Sequence, residues 1–276
     1  MAEAATLADP LLQSGDPEPV GLRNAEASSP FLLICDHAGN AVPAVLDGLG
    51  LGPADLARHI AFDIGILGVS ERLADRIGAP LVFQRYSRLV VECNRLFSSD
   101  QSIALTSDGT PIPGNRRLDP AARARRIAEI AQPYHAEIAR RLDRRRDRNL
   151  PTILVSMHSF TPSLLSRPFA RPWQVALCWG ADDRFTRRVL AVLEEEDGLV
   201  IGRNEPYSVD TENDYSIPVH GEGRRCPYAE FEIRQDLIAT RSGQAEWSER
   251  LARVLERARR SFVIAPAPAR TIPRQP

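Results

Sequence analysis

Phe31-Leu32-Leu33-Ile34-Cys35-Asp36-His37-Ala38-Gly39-Asn40 reads as a buried strand running directly into an acid, a histidine and a turn. A short, unbroken apolar run, preceded by Ser-Ser-Pro and closed by Gly-Asn, suits a strand covered on both faces. In an open α/β sheet, ligands gather at the carboxyl ends of the strands. His37, two residues past this one, is therefore a candidate ligand for a metal or a substrate. The pattern recurs at Thr152-Ile153-Leu154-Val155-Ser156-Met157-His158-Ser159. Two strand-end histidines, far apart in sequence, can converge on one crevice.

The chain has 276 residues and is 43% hydrophobic, enough to bury a core in one domain or at most two. A formal net charge of -1 gives no reason to expect nucleic acid or an anionic membrane as partner. The basic residues are all Arg, which excludes chemistry that needs a lysine base or Schiff base. Cys35, Cys93, Cys178 and Cys226 form no C-x-x-C pair and read as small buried hydrophobes in a reducing compartment. With no secretory pattern at the start and no apolar run of membrane-spanning length, the expectation is a soluble, cytoplasmic protein.

Strand and helix patterns alternate, which argues for an α/β fold with a mostly parallel or mixed sheet. Residues 1–29 read as a loose arm, 30–263 as a single catalytic domain, and the Ala-Pro-rich residues 264–276 as a disordered tail. A helical pattern starts at Asp63 and runs through Ile66, Val69, Leu73 and Ile77. Strands are expected at Leu81-Val82-Phe83, at Leu89-Val90-Val91 and at residues 174–178. Tyr228 to Arg234 alternates with period two, as a strand with one polar face does. Asp119-Pro120 opens a helix expected to kink near Pro133, its outer face crowded with Arg140, Arg141, Arg144, Arg145 and Arg146. Asp143 and Asp147 interrupt that charge, so it reads as a solvated face. Long polar loops at residues 98–118 and 204–225 are candidates for a lid or a substrate wall.

Candidate chemistry lies at His37, Asp63, Asn94-Arg95, His158 and Glu232. Two histidines and one carboxylate with an open fourth position make the ligand set of a catalytic zinc ion. A further carboxylate must move the proton of the attacking water, and Glu232 is the candidate. Arg95 offers a planar, two-point grip on a substrate carboxylate. Each residue also has a plainer reading. Asp63 caps its helix, Glu232 pairs with Arg234 or Arg88, and Asn94-Arg95 is a surface turn.

The sequence resembles the N-formylglutamate amidohydrolases. The residues that carry the likeness are Cys35-Asp36-His37-Ala38-Gly39-Asn40, His59 to Gly65, and Tyr86-Ser87-Arg88-Leu89-Val90-Val91-Glu92-Cys93-Asn94-Arg95. They continue in Ser156 to Pro162, Asn204-Glu205-Pro206-Tyr207, His220-Gly221-Glu222 and Glu232 to Ile238. The resemblance implies a three-layer, phosphorylase/hydrolase-like α/β fold with a central mixed sheet and helices on both faces. It implies zinc-dependent hydrolysis of a small N-acyl amino acid such as N-formyl-L-glutamate. That family is similar in architecture to the zinc carboxypeptidases and to the aspartoacylase and desuccinylase group. In those enzymes zinc sits on His, Glu and His, an Asn-Arg pair meets a carboxylate, and a late Glu is the base. Carried over, His37 and His158 bind the metal, Asn94 and Arg95 bind substrate, and Glu232 is the base. Arg88 or His220 would help hold the oxyanion. The pattern departs at Asn40, where the relatives place Glu three residues after the first His, so Asp63 is assigned as the third ligand. Two rival readings stand beside this one. One is a carboxylate-binding module without a working metal, and the other a hydrolase built on Cys35 and His37.

Overall fold

The computed structural model describes residues 10–167 and 169–263, so the expectations for residues 1–9 and for the tail 264–276 lie outside the described residues. In chain order the strands are β1 (Val20–Arg23), β2 (Phe31–Cys35), β3 (Leu81–Gln84), a small hairpin of β4 (Thr106–Ser107) and β5 (Thr110–Pro111), β6 (Ile153–Phe160), β7 (Val175–Cys178), β8 (Ile201–Arg203) and β9 (Tyr228–Arg234). The helices are α1 (Pro53–Leu56), α2 (Ile66–Arg76), α3 (Pro120–Arg126), α4 (Gln132–Asp147), α5 (Thr186–Leu193) and α6 (Arg241–Arg260). Seven strands form one mixed sheet in the order β1-β3-β2-β6-β9-β7-β8. The four central strands, β3, β2, β6 and β9, are parallel, while β1 and β7 join antiparallel to β3 and β9.

All five residues of β2 are fully buried, as an unbroken apolar run requires. Phe31, Leu33 and Cys35 face a core shared with α2, α5 and α6. Leu32 and Ile34 face the opposite core, built with Ile130, Tyr134 and Ile138 around α4. The fold is thus the expected three-layer α/β arrangement.

The structure departs from or refines the sequence expectations in five places, each for an identifiable reason. Residues 10–29 are not a loose arm. β1 pairs with β3, and two arginines of α4 turn inward to hold the segment between β1 and β2. Arg141 donates to the Ala25 carbonyl at 2.6 Å and Arg145 to that of Ser29 at 2.5 Å. The arginine face of α4 is therefore solvated only in part. Leu89-Val90-Val91 is a turn, because Asn115 and Arg126 side chains, rather than a neighbouring strand, satisfy the carbonyls of Leu89 and Val90. The helix near Pro133 is relieved by a π turn over Ile127–Ala131 between α3 and α4, which accommodates the missing proline N–H. Finally, α2 begins at Ile66 rather than Asp63. Gly65 precedes it in the left-handed region (φ 81°), so Asp63 does not cap the helix.

A polar patch on one face of the sheet arises from unequal strand lengths. β2 pairs with β6 only as far as Ile34↔Ser156, whereas β6 and β9 stay paired to Phe160↔Arg234. Ser156, at the last β2 pair, and His158, beyond it, lie opposite Glu230 and Glu232. Period two puts these four on the same face as Leu154 and Tyr228, which belong to the α4-side core. A polar row thus replaces the core where β2 has ended.

Gly65 joins the loop carrying Asp63 to α2, and a Cβ there would stand 2.1 Å from the Ile238 carbonyl oxygen. Gly65→Ala combines a positive φ with that backbone clash. It is expected to destabilise the protein by more than about 1 kcal/mol, read as a lower urea midpoint with unchanged m-value.

Candidate active site

Three side chains meet at the carboxyl end of β2 and β6. His37 comes just after β2, His158 belongs to β6, and Asp63 is anchored next to them because its N–H donates to the His37 carbonyl at 2.9 Å. His37 Nδ1 and His158 Nδ1 are 3.2 Å apart, and Asp63 Oδ2 is 3.4 Å from the first and 3.2 Å from the second. Ligands held at 2.0–2.2 Å by a tetrahedral ion stand roughly 3.3–3.5 Å apart, so the triangle has the dimensions of a metal site.

The outer partners set the orientation of both rings. His37 Nε2 is hydrogen-bonded to Glu92 Oε1. His158 Nε2 lies 3.0 Å from Ser156 Oγ and 3.4 Å from Asp36 Oδ2. An Nε2–H directed at a carboxylate leaves the Nδ1 lone pair for a metal, the usual backing of a metal-bound histidine. With that tautomer, two nitrogen lone pairs and a carboxylate oxygen face one another at 3.2–3.4 Å. Such a cluster is repulsive until a cation, or protons in its place, enters it. The donor set fits a divalent ion: two imidazoles and one carboxylate, all buried.

The electrostatics agree. Burial works against charge on His158, yet the nearby carboxylates of Asp36 and Asp63 hold it well above its ordinary value. Burial likewise opposes ionisation of Asp63, but His37, His158 and Arg88 outweigh it and hold the carboxyl far below the usual range. Asp36 and Glu92 are also held low despite burial, the first by His158 and His37, the second by Arg88 and His37. Three buried carboxylates that stay ionised make a strong local preference for a cation.

Each support is itself fixed. Asp36 Oδ1 accepts from Tyr134 Oη at 2.7 Å and from Ser216 Oγ at 2.8 Å. Arg88 donates from Nε to Glu92 Oε2 at 2.7 Å and from Nη1 to Asp63 Oδ1 at 3.2 Å. Asp63 Oδ2 also accepts the Ser159 N–H at 3.0 Å.

A cavity of about 770 Å³ opens over this cluster, lined among others by His37, Asp63, Arg88, Asn94, Arg95, His158, Tyr207, Asp214, Glu230 and Glu232. Glu232 is buried with Oε2 unpartnered, and burial pushes its carboxyl up to about 8. Burial pushes its neighbour Glu230 up to about 7. Asn94 and Arg95 border the cavity, but both are engaged. Asn94 Oδ1 accepts the N–H groups of Tyr215 and Ser216 at 3.2 and 2.9 Å, and Arg95 is ion-paired with Asp214.

Asn40 and His220 lie elsewhere. Asn40, at the position where the carboxypeptidase pattern has its Glu, is exposed and donates to the Leu56 carbonyl, so it is no part of the cluster. His220 is buried outside the cavity lining, 3.1 Å from His135 Nδ1, and gives no direct contact for an oxyanion. His135 Nε2 in turn donates to the Cys93 carbonyl at 2.8 Å. The thiols of Cys35, Cys93 and Cys178 are buried and raised, Cys35 mainly by desolvation, which removes the support for a Cys35 nucleophile. Sequence reasoning misses Asp36 and Glu92. A signal for Glu92 exists: an acid inside Leu89-Val90-Val91-Glu92-Cys93 must be buried, and a buried acid needs a partner.

The family model described as N-formylglutamate amidohydrolase matches residues 29–239. The chain belongs to that family. Among solved structures, a gene product of Agrobacterium tumefaciens superposes with a TM-score of 0.87 at 31% identity, covering 91% of this chain and 98% of the other. The N-formylglutamate amidohydrolase of Ralstonia eutropha has a TM-score of 0.67 at 21% identity, covering 89% of this chain and 100% of that one, a likeness of fold. A search of curated proteins finds no match. The N-formylglutamate amidohydrolases are hydrolases, and the buried His37, Asp63 and His158 of this chain all fall within the residues matched to them.

The His135–His220 pair supplies a test of acid stability. Burial, then His135, pushes His220 down to about 3, so it stays neutral in the folded protein at a pH where the unfolded chain binds a proton. A depressed folded value means stability that is full above about 6.5 and is lost as pH falls toward 3. His220→Gln is therefore expected to lose less of its urea midpoint than the parent between pH 7 and pH 4.5.

Proposed function

We propose that this chain is a metal-dependent amidohydrolase that cleaves the amide bond of a small N-acyl amino acid, with N-formyl-L-glutamate as the type substrate. The observation that carries this reading is the triangle of His37 Nδ1, His158 Nδ1 and Asp63 Oδ2, with both histidines backed by carboxylates. His37, Asp63 and His158 would hold one divalent ion, and zinc is the ion that the donor set suits best. When bound, such an ion acidifies water and polarises the amide carbonyl.

The remaining work falls to the chain's own residues. Glu232 is opposite His158 in the β6–β9 ladder and borders the cavity. In its ionised form it takes a proton from the attacking water and returns it to the departing amine nitrogen, so that the amide and water become a carboxylic acid and a free amino acid. The raised value of Glu232 suits a group that must hold a proton between those two events. Arg88, which lines the cavity, uses three of its five N–H donors on Asp63 and Glu92, and the two that remain would serve the developing oxyanion. A small amino-acid amide fits a cavity of about 770 Å³ with room to spare.

Two substitutions test this assignment. His158→Ala is expected to lose most of its metal by elemental analysis while keeping the far-UV spectrum of the parent, and full metal occupancy would refute the ligand set. Glu232→Gln is expected to keep metal and lose about 10²–10⁴-fold in kcat. If Glu230→Gln shows the large loss and Glu232→Gln does not, the base sits one pleat earlier on the same face.

A further inference from the structure

The cavity presents a charge problem that the proposed function leaves open. A substrate carboxylate needs a cation, and two guanidiniums that line the cavity are already neutralised. Arg88 is held by Glu92 and Asp63, and Arg95 by Asp214. Asp108, Asp210, Glu230 and Glu232 add further acids to the same walls.

Arg171 differs. It is 5% exposed, and no carboxylate lies within ion-pair distance of it among the described residues. Its Nε is buried without a partner. Nη1 donates to Tyr207 Oη at 3.0 Å and approaches the Thr161 carbonyl at 3.5 Å, and both of those residues line the cavity. Its guanidinium carbon sits 5.2 Å from the centre of the Tyr207 ring and 5.8 Å from that of Phe169. A buried, unpaired guanidinium is costly to keep unless an anion completes it. A tyrosine hydroxyl that accepts from a guanidinium has its own proton free to donate, and the donation is strengthened by the charge behind it.

We propose that Tyr207 Oη, backed by Arg171, is the group that recognises the carboxylate of the bound N-acyl amino acid. Tyr207 is the binding residue, and Arg171 is a positioning residue that acts through it. This rests on the proposed amidohydrolase function for the identity of the ligand, but not for the presence of an anion site. From the sequence alone this task falls to Arg95. In the folded chain Arg95 serves instead to tie Asp214 to the loop after Asn94.

The test separates binding from turnover. N-formyl-L-glutamate and its neutral dicarboxamide are titrated calorimetrically into metal-loaded Glu232→Gln protein, and both are assayed with the parent. The Glu232→Gln protein is expected to bind the dicarboxylate at least tenfold more tightly than the dicarboxamide. Adding Tyr207→Phe or Arg171→Met is expected to reduce that preference about tenfold while leaving affinity for the dicarboxamide unchanged, and Arg171→Lys is expected to recover part of it. In the parent background the same changes raise KM for the dicarboxylate with kcat little altered. Tyr207→Phe keeps the ring under Arg171, so a folding failure of the Arg171 variants does not decide the matter. An unchanged preference in Tyr207→Phe, equal losses for both probes, a preference lost only in Arg95→Gln, or no preference at the outset would each overturn the assignment. Tight, Tyr207-dependent binding of the dicarboxylate without hydrolysis by the parent would instead overturn the amidohydrolase reading and leave this site standing.

Discussion

The parallel pairing of β6 with β9 is the constraint on which the site depends. It runs for seven residue pairs, from Leu154↔Tyr228 to Phe160↔Arg234, while β2 on the other side of β6 stops at Cys35. Past its last pair with β6, Ile34↔Ser156, β2 supplies no further apolar neighbour on the α4 face. Ser156, His158, Glu230 and Glu232 occupy positions that would otherwise continue the row begun by Leu154 and Tyr228. Burying such a row is unfavourable, and the core on the opposite face of the sheet, with Phe31, Leu33, Met157, Phe231 and Leu251, offsets it. The sheet is thus conventional on one face and chemically loaded on the other.

That loading explains why the buried charges come as a network rather than as pairs. Asp63 serves His37, His158 and Arg88 at once, and Asp36 is shared by His158, Tyr134 and Ser216. Removing one member leaves others buried and uncompensated, so substitutions here should not be additive.

Much of this is legible in the sequence because it depends on local pattern. The apolar runs mark β2 and β6, the period-two alternation marks β9, the three-four spacing marks the buried stripe of α2, and the histidines after or within strands mark two corners of the triangle. Asp63 is legible as a candidate, although its alternative role as a helix cap can be dismissed only once Gly65 is seen to begin α2. The features that escape the sequence depend on long-range partners. Leu89-Val90-Val91 has the composition of a strand, and only Asn115 and Arg126, from a later segment, make it a turn. Asp36 and Glu92 stand beside or inside recognisable motifs, but their work lies in which ring nitrogen each one meets. His220 looks accessible because loops are usually open, yet the packing of His135 and Tyr215 closes over it.

The π turn between α3 and α4 ties the phase of a helix to the chemistry of the sheet. A π turn holds one more residue than the α-helical turn it replaces, and each residue advances the helix by about 100°. Everything after Ala131 is therefore rotated by that amount relative to an uninterrupted helix from Pro120. In the rotated setting Tyr134 points at Asp36, and His135 points at His220 and the Cys93 carbonyl. Arg141 and Arg145, farther along the same helix, reach back to the segment around Ala25 and Ser29. A single surplus residue in one turn thus sets the angular register of a sixteen-residue helix. Through Tyr134 it reaches the carboxylate behind His158, so the local pitch of this helix and the orientation of that ring are not independent variables.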